Sequence, residues 1–378
     1  MKKKVLFIMH MPPPVHGASM VGQWIHDSKI INDAFECHYI NLSASKAIDS
    51  VGKFSLDKIK FLFTLLFTVL RYVFIWRPNL CYYTPTSVNA FGLYRDIIVV
   101  KVLRLCGQRV ILHLHNKGVK MAVDRSQFVG CAYKQLYRGN KVILLAKELY
   151  DDVFGFVKPD DIYYLPNGIP QTLSDEAFDD VVDQRMKSID EKKIRFLFLS
   201  NMMSEKGIWD LLDACKILKD RDLSFECHYV GNWGKDTTIE SFGEGISSRE
   251  LNDYIFVHGP KYGVDKSAFF CDSDIFVFPT YYHGETFGLV LVEAMEYGLP
   301  CISTFEGGVP SVVDNGKTGL LIESKSPELL ADKMAYLASN LSERCELGAN
   351  GRRRFLDNFT SIHFESRLKE IFNKEISN

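Results

Sequence analysis

The sequence predicts an α/β protein with two doubly wound, Rossmann-like domains. Short β-branched or apolar runs alternate along the chain with longer helical stretches, a pattern typical of parallel sheets. The length of 378 residues is sufficient for two domains of ordinary size. A turn-forming run at 165–170 leads into the acidic, strand-poor segment Ser174–Lys193. We therefore place one domain at residues 1–165 and the second at residues 166–360.

Twelve runs are strand candidates, six on each side of this boundary. The first six are Val5–Met9, Cys37–Asn41, Leu80–Tyr83, Arg109–Leu114, Val142–Ala146 and Ile162–Leu165. The second six are Arg195–Ser200, Ser224–Val230, Ile255–His258, Ile275–Pro279, Cys301–Thr304 and Gly319–Ile322. Ligands of such sheets bind beyond the carboxyl ends of the strands, so we expect a ligand in a cleft between the two domains.

Composition excludes several classes of protein. With 47% apolar and 24% charged residues, the chain is neither disordered, collagen-like nor a coiled coil. Its nine cysteines are an odd number and include no Cys-x-x-Cys pair, which argues against a disulfide framework and a zinc ribbon. The apolar run after the first lysines is too short for a signal peptide. We expect reduced thiols and a cytoplasmic protein.

The charge is distributed unevenly along the chain. Residues 1–165 contain 22 Lys and Arg against 12 Asp and Glu, a balance of +10, whereas the remainder contains 23 against 35, a balance of −12. A basic first half indicates an anionic surface or a phosphate-bearing partner. Nucleic acid is not predicted, because the chain has no basic stripe with interleaved aromatics and its pI is near 6.6.

The segment Phe61–Trp76 resembles a membrane segment in composition. It falls short of the roughly 20 residues that a bilayer span needs, and it contains Arg71. We therefore expect most of its apolar surface to pack on the first sheet. Basic residues lie around and within it, however, and they predict salt-sensitive, peripheral binding to an anionic membrane surface. These residues are Lys53, Lys58, Lys60, Arg71 and Arg77.

The most informative segment runs from Asp274 to Pro300. A buried strand leads into a loop, and a helix begins near Phe287 and Gly288, followed by Leu289. The first backbone N–H groups of a helix lack intrahelical partners and carry a partial positive charge. This helix start is therefore predicted to bind an anion such as a diphosphate.

Two glutamates flank the predicted anion site. Glu293 lies about five residues into the helix, roughly 7–8 Å along its axis, which is about the step from a diphosphate to a ribose. Its carboxylate can accept hydrogen bonds from both ribose hydroxyls. Glu285 precedes the helix and would lie on the other side of the phosphates, near a sugar attached to them. The alternative is a capped amphipathic helix with two solvated glutamates.

This segment resembles the signature of the retaining group 1 (family four) glycosyltransferases, which have the GT-B fold. The resemblance continues through Gly307-Gly308-Val-Pro310 and the loop 315–319, although Ser311 stands where that family usually has an acidic residue. It implies that the two domains face each other across a cleft, with the nucleotide sugar on the second and the acceptor on the first. It also implies a C-terminal helix, within 361–378, that packs back on the first domain.

The resemblance extends to residues upstream. Lys206 matches the family lysine that grips the donor diphosphate, whereas Asn201 stands in place of the partner arginine. Gly17 matches the glycine-rich loop after the first strand, with His16 in place of one glycine. His115 matches the histidine near the reacting sugar.

A metal site is not predicted. Strand alternation places His113 and His115 on one face, but the sequence offers them no third ligand at suitable spacing. The Asp-x-Asp sequence at Asp272 and Asp274 precedes its strand, at the wrong end for the cleft, so a capping and turn role is favoured. A dehydrogenase is disfavoured because no Gly-x-Gly-x-x-Gly sequence follows the first strand.

The resemblance implies transfer of a hexose-type sugar, with retention, from a nucleoside diphosphate to a hydroxyl of a saccharide or polyprenyl-diphosphate-linked acceptor. It implies no metal and no cofactor, and the pathway we expect is bacterial surface-polysaccharide assembly. Two alternatives are a nucleotide-sugar epimerase of the same fold and a catalytically silent protein that binds sugar or a partner. Asn201 favours the silent protein, whereas Glu285, Glu293 and Lys206 argue against it.

Overall fold

The computed structural model describes residues 2–42, 56–86, 90–187 and 193–377. The chain separates into two compact units, Met1–Gly168 with Ser361–Asn378, and Ile169–Thr360. Within the described ranges each unit contains a six-stranded sheet whose strand pairs are all parallel. The predicted α/β class is confirmed.

The first unit has the strand order β2-β1-β3-β4-β5-β6. The strands are β1 (Lys3–Met9), β2 (Phe35–Asn41), β3 (Leu80–Tyr83), β4 (Val110–Leu114), β5 (Lys141–Leu144) and β6 (Ile162–Tyr164). The helices are α1 (Gly17–Asp27), α2 (Lys29–Ala34), α3 (Leu56–Arg71), α4 (Ala90–Leu105), α5 (Val119–Arg125), α6 (Gln127–Tyr137) and α7 (Tyr150–Val153).

The second unit has the strand order β12-β11-β10-β7-β8-β9. The strands are β7 (Ile194–Leu199), β8 (Phe225–Val230), β9 (Ile255–Val257), β10 (Ile275–Phe278), β11 (Cys301–Thr304) and β12 (Gly319–Ile322). The helices are α8 (Asp175–Lys187), α9 (Ile208–Asp220), α10 (Ile239–Ser248), α11 (Gly263–Asp272), α12 (Leu289–Glu296), α13 (Val309–Val312), α14 (Pro327–Ser339) and α15 (Leu341–Asn358). A last helix, α16 (Ser361–Ser377), belongs to the first unit.

The core of the first unit lies on both faces of its sheet. In β1 the side chains of Leu6 and Ile8 join an apolar cluster with α3, α4 and α6, whereas Val5, Phe7 and Met9 join a cluster with α1, α2 and α16. Successive side chains of a strand point to opposite faces, so a strand covered on both sides must be apolar throughout. This explains why β1 reads as one continuous apolar run.

Helix α16 completes the core of the first unit. The ring of Phe372 lies 5.7 Å from Phe7, 5.8 Å from Phe35 and 5.7 Å from Tyr82, measured between ring centroids. Farther along the helix, Tyr163 donates a hydrogen bond of 2.6 Å to the Glu375 carboxylate. The last segment of the chain therefore supplies core that the first unit lacks in its own continuous sequence.

The structure corrects the expectation for Phe61–Trp76. Helix α3 continues into a π-helical turn, Tyr72–Trp76, and the resulting stretch Asp57–Trp76 has 20 residues. This stretch has a mean hydropathy of 1.8, so by length and composition alone it could cross a membrane. Only 17% of it is buried within the protein. The expected length is therefore wrong, because the helical stretch reaches 20 residues. The expected packing holds for one side of the helix, where Leu65, Val69 and Val73 enter the core, whereas the other side stays exposed. Lys53, named with this segment, lies outside the described residues.

We expect Phe372→Ala to destabilise the protein, because the deleted ring packs against three aromatic side chains of the first sheet. A buried Phe→Ala change costs about 3–5 kcal/mol of unfolding free energy. Urea unfolding of the full chain measures this loss. The control is Ile362→Ala on the same helix, whose side chain is exposed and should change little. Equal effects of the two substitutions would contradict the packing role of α16.

Candidate functional site

The candidate site of the second unit lies where its sheet changes direction. From β7 the chain proceeds outward through β8 and β9, whereas from β10 it proceeds outward on the other side through β11 and β12. The loops after two such neighbouring strands diverge and leave a crevice at the carboxyl edge, where ligands bind in open α/β sheets. Lys206 lies after β7 and Glu285 after β10, so both belong to this crevice.

Lys206 and Glu285 form an ion pair. The Lys206 Nζ lies 2.7 Å from the Glu285 Oε2, and the side chains are 13% and 9% exposed. The same ammonium group lies 4.4 Å from the centroid of the Tyr282 ring, a cation–π distance. Two side chains far apart in sequence, both predicted to contact a ligand, are therefore brought together by the fold.

Two close backbone approaches hold the loops around this pair. A Cβ on Gly207, whose φ is +81°, would lie 2.2 Å from the Pro279 carbonyl oxygen. A Cβ on Gly307, whose φ is +53°, would lie 2.0 Å from the Glu285 carbonyl oxygen. Because only glycine fits such contacts, the loops after β7, β10 and β11 are pressed against one another.

The predicted anion site is the start of α12. Gly288 precedes the helix, and Leu289 is its first residue. Phe287 is buried, with its ring 5.8 Å from that of Phe359, and thereby anchors the helix start. The first turn of a helix leaves backbone N–H groups without intrahelical acceptors, so this start can bind an anion.

Glu293 lies within α12, and its carboxylate pairs with Lys266 of α11 at 2.7 Å. Both side chains are partly buried. Lys266 cannot be found from the sequence, since its contact with Glu293 joins residues 27 positions apart and no local motif marks it. Glu293 therefore has a partner that any ligand of this carboxylate must share or displace.

Asn201 is exposed, and its main-chain carbonyl oxygen accepts a hydrogen bond of 2.9 Å from the Met203 N–H. Its neutral amide brings no positive charge to the segment after β7. Lys206 and Lys266 instead place positive charges beside the two glutamates.

At the opposite edge of the same sheet, the Asp274 carboxylate accepts a hydrogen bond of 2.8 Å from the Arg195 N–H. This contact joins the starts of β7 and β10 and is structural. Among the described residues, no group of three or more His, Cys, Asp or Glu side chains could hold a metal ion.

The carboxyl edge of the first unit carries a group of histidines. His16 caps α1, with its Nδ1 accepting a hydrogen bond of 3.3 Å from the Ser19 N–H, and Gly17 is the exposed first residue of that helix. His10 follows β1, and its ring lies 3.2 Å from the Thr84 hydroxyl oxygen after β3. This is the point where the first sheet changes direction.

His113 and His115 lie together at the end of β4, with ring centroids 4.1 Å apart. His113 is fully buried and lies 2.6 Å from the Tyr82 hydroxyl, whereas His115 is partly buried. Burial, followed by the charge of His16, lowers the pKa of the His115 imidazole to about 3. His115 is therefore neutral at physiological pH and can exchange hydrogen bonds with a hydroxyl group.

Comparison with known proteins identifies the second unit. Residues 182–354 match the family model described as glycosyl transferases group 1. The chain carries a group 1 glycosyltransferase domain. The matched range contains Asn201, Lys206, Glu285 and the start of α12 with Glu293, whereas Gly17 and His115 lie outside it.

One curated relative is similar to this chain in sequence, and two solved structures are similar to it in fold. The chain is 28% identical over 182 residues to the capsular polysaccharide biosynthesis glycosyltransferase CapM of Staphylococcus aureus, which covers 47% of this chain and 45% of CapM. Among solved structures, sucrose-phosphate synthase of Thermosynechococcus elongatus has a TM-score of 0.74 at 17% identity, covering both chains fully. Anabaena HepE with UDP-glucose has a TM-score of 0.71 at 16% identity, covering 98% of this chain and 99% of HepE.

These comparisons cover different shares of the two chains compared. The chain spans less than half of the length of CapM, so that relative supports the group 1 domain rather than a whole-protein activity. The two solved structures match over nearly the entire chain at low identity, and they confirm its GT-B fold.

We expect mild acid to destabilise the protein. Burial lowers the pKa of both His10 and His115 to about 3, below the value near 6.5 of an unfolded histidine. Below pH 6.5 the unfolded state therefore binds more protons than the folded state, so the unfolding free energy falls as the pH drops towards 4. Each such histidine contributes a slope of about 1.4 kcal/mol per pH unit. Urea unfolding between pH 7.5 and 4.5 measures it.

The slope should decrease in His10→Gln, which removes one of these titrating groups whatever its effect on stability at neutral pH. An unfolding free energy that stays constant over this pH range would contradict the burial of the histidines.

Proposed function

We propose that the chain is a retaining glycosyltransferase that moves a hexose-type sugar from a nucleoside diphosphate to a hydroxyl of a saccharide or polyprenyl-diphosphate-linked acceptor. The observation that carries the proposal is the Lys206–Glu285 ion pair beside the start of α12, at the point where the second sheet changes direction. A cation, free N–H groups and a carboxylate at one crevice are the groups that a nucleotide sugar requires.

The donor diphosphate would lie against the first turn of α12 and Lys206. Negative charge builds on the diphosphate as its bond to the sugar breaks, and fixed N–H groups with a nearby ammonium stabilise that charge more than they stabilise the intact donor. This stabilisation requires neither a metal ion nor a cofactor, and we propose that none is used. Asn201 would offer the phosphates an amide hydrogen bond where a positive charge would bind more strongly.

The two glutamates would orient the rest of the donor. Glu293 is the fifth residue of α12, and its carboxylate can accept hydrogen bonds from the ribose hydroxyls. These hydroxyls would compete with the Lys266 ammonium for the carboxylate. Glu285 lies before the helix and would bind hydroxyls of the transferred sugar, since Lys206 already holds its carboxylate in place. One charge pair thus connects the phosphate and sugar subsites.

The first unit would bind the acceptor. Its basic balance suits a phosphate-bearing acceptor. The neutral His115 imidazole would hydrogen-bond the reacting sugar, and Gly17 at the start of α1 would let the donor approach the backbone. We propose a cytoplasmic role in bacterial surface-polysaccharide assembly, and the similarity to CapM, a capsular polysaccharide biosynthesis glycosyltransferase, supports it. The complex of HepE with UDP-glucose supports a nucleotide-sugar donor.

The second candidate is a catalytically silent protein that binds a sugar nucleotide, and the neutral Asn201 favours it. The deciding experiment incubates the full chain with UDP, GDP and ADP sugars in the presence of a chelator. Nucleoside diphosphate release that depends on a saccharide or lipid-linked acceptor supports the transferase. An isomerised sugar indicates an epimerase, and binding without turnover indicates the silent protein. Activity that disappears with chelator and returns with magnesium or manganese would contradict the metal-free mechanism.

We expect Glu293→Ala to weaken donor binding and Glu285→Ala to lower turnover, because the first carboxylate is assigned to ribose and the second to the reacting sugar. Each lost charged hydrogen bond costs about 1.5–3 kcal/mol. Calorimetry gives the donor Kd, and initial rates give kcat. The control is Lys266→Ala, which breaks the same ion pair as Glu293→Ala but keeps the carboxylate. If the control weakens donor binding as much as Glu293→Ala does, the role of Glu293 is only to pair with Lys266.

We expect Lys206→Ala to weaken binding of a nucleoside diphosphate more than binding of the monophosphate, and to slow transfer further still, because the ammonium faces the leaving diphosphate. The substitution also leaves the Glu285 carboxylate unpaired in a nearly buried position. The double variant Lys206→Ala with Glu285→Gln removes that complication. Equal losses for the two nucleotides in the double variant would place Lys206 outside the phosphate site.

A further inference from the structure

The solvent side of α3 and the π-helical turn after it is apolar. Phe63, Phe67, Phe74 and Ile75 are 68%, 71%, 65% and 75% exposed. The opposite side of the same helix is apolar too, and it packs into the core of the first unit through Leu65, Val69 and Val73. A surface helix of a water-soluble domain normally presents polar residues to solvent. This helix is apolar on both sides. Its inner side contacts the core, so its outer side is suited to contact another apolar surface.

The apolar surface continues onto the neighbouring helix. Helix α4 contacts α3, and Tyr94, Ile98 and Leu105 of α4 are exposed. A contiguous apolar surface of this kind marks a site of interaction with a protein or a membrane, because single exposed apolar residues are otherwise scattered. We name the exposed side chains of α3, the π-helical turn and α4 the α3–α4 face.

The segments that carry the α3–α4 face are rich in basic residues. The sequence 56–109 contains eight Lys and Arg but two Asp. One of these acids, Asp96, is buried in an ion pair of 2.7 Å with Arg95 and is hidden from a surface partner. The exposed basic side chains on this side are Lys60, Arg71, Arg77, Lys101 and Arg104. Arg109 is not one of them, because it binds the Glu375 carbonyl oxygen of α16, on the other face of the sheet. Apolar aromatic residues inside a positive rim match the interface of an anionic bilayer, with its acyl chains below and phosphates above.

We propose that the α3–α4 face is a docking surface for an anionic lipid bilayer. Helix α3 lies in the plane of the membrane surface, Phe63, Phe67 and Phe74 insert below the headgroups, and the basic residues contact lipid phosphates. The proposal goes beyond the proposed function and does not depend on it, since docking needs neither donor nor acceptor.

The contacts of α3 favour a helix that lies on the membrane rather than one that crosses it. To cross, the helix would have to leave the core and expose the apolar cluster that Leu65, Val69 and Val73 complete. It would also break the hydrogen bond of 2.7 Å from the Trp76 indole N–H to the Glu36 carboxylate of β2. Arg71 would then lie within the apolar stretch, at an energetic cost that an interfacial helix avoids.

A second copy of the chain fits this face less well than a bilayer does. Two α3–α4 faces packed together would bring two positive rims into contact, and like charges across an interface oppose association. Charge complementarity therefore selects the anionic surface.

Flotation of the full chain with lipid vesicles tests the proposal. We expect flotation at low salt with vesicles of phosphatidylglycerol and phosphatidylcholine in equal parts, a loss at high salt, and little flotation with phosphatidylcholine alone. The double variant Phe63→Ser with Phe67→Ser should reduce the bound fraction at least about tenfold, because two inserted rings are lost. Both side chains are exposed, so this variant should retain the wild-type unfolding midpoint.

The matched control is Phe154→Ser, which removes an equally exposed ring, 68% accessible. Phe154 lies between β5 and β6, at the far end of the sheet from β2 and Trp76. It should leave flotation unchanged. The charge variant Lys60→Gln with Arg71→Gln should weaken binding to the anionic vesicles by about fivefold per residue, while leaving the residual binding to neutral vesicles unchanged.

Three results would overturn the proposal. The first is absence of flotation with anionic vesicles at low salt, and the second is wild-type flotation of the Phe63 and Phe67 variant. The third is a dimer in lipid-free solution that this variant dissociates, which would assign the face to a second copy of the chain. Sugar transfer to a water-soluble acceptor could still occur in each case, so failure of the docking proposal is distinguishable from failure of the proposed function.

Discussion

The ion pair between Lys206 and Glu285 is the constraint on which the candidate site depends. Removing two charges from water is costly, and such a pair persists only where each charge neutralises the other in good geometry. Here a distance of 2.7 Å, a neighbouring aromatic ring and two glycine contacts provide that geometry. The loops after β7, β10 and β11 are therefore held together around a carboxylate and an ammonium, ready for a charged ligand.

The two units have different electrostatic characters, and these characters match the roles proposed for them. The second unit is acidic overall, yet it places Lys206, Lys266 and a helix start around its candidate site, so its positive potential is local. The first unit is basic over much of its length and buries neutral histidines at its sheet edge. A local positive site suits a small diphosphate, whereas a broad basic surface suits an extended anionic partner.

Helix α3 shows where counting residues in a sequence misleads. The apolar run begins at Phe61, but the helix begins before that residue and includes Lys58 and Lys60, so the helical stretch is longer than the apolar run. An apolar residue in a helix is usually buried, and the sequence offers no means of separating Leu65, which enters the core, from Phe63 and Phe67, which remain outside. The difference arises from which side of the helix meets the sheet.

The sequence by itself determined the two sheets and the segments that carry the candidate site. Each of the twelve predicted strands has a counterpart whose ends agree within two residues. Most of these strands are covered on both faces and are therefore nearly continuous apolar runs. Motif spacing likewise pointed to Glu285 and Glu293, and the family resemblance pointed to Lys206. Only the tertiary structure decided that Lys206 meets Glu285, that Lys266 meets Glu293, and that the outer side of α3 stays exposed. Such contacts join residues distant in sequence, and their formation depends on strand order and helix packing, which leave no local pattern in the chain.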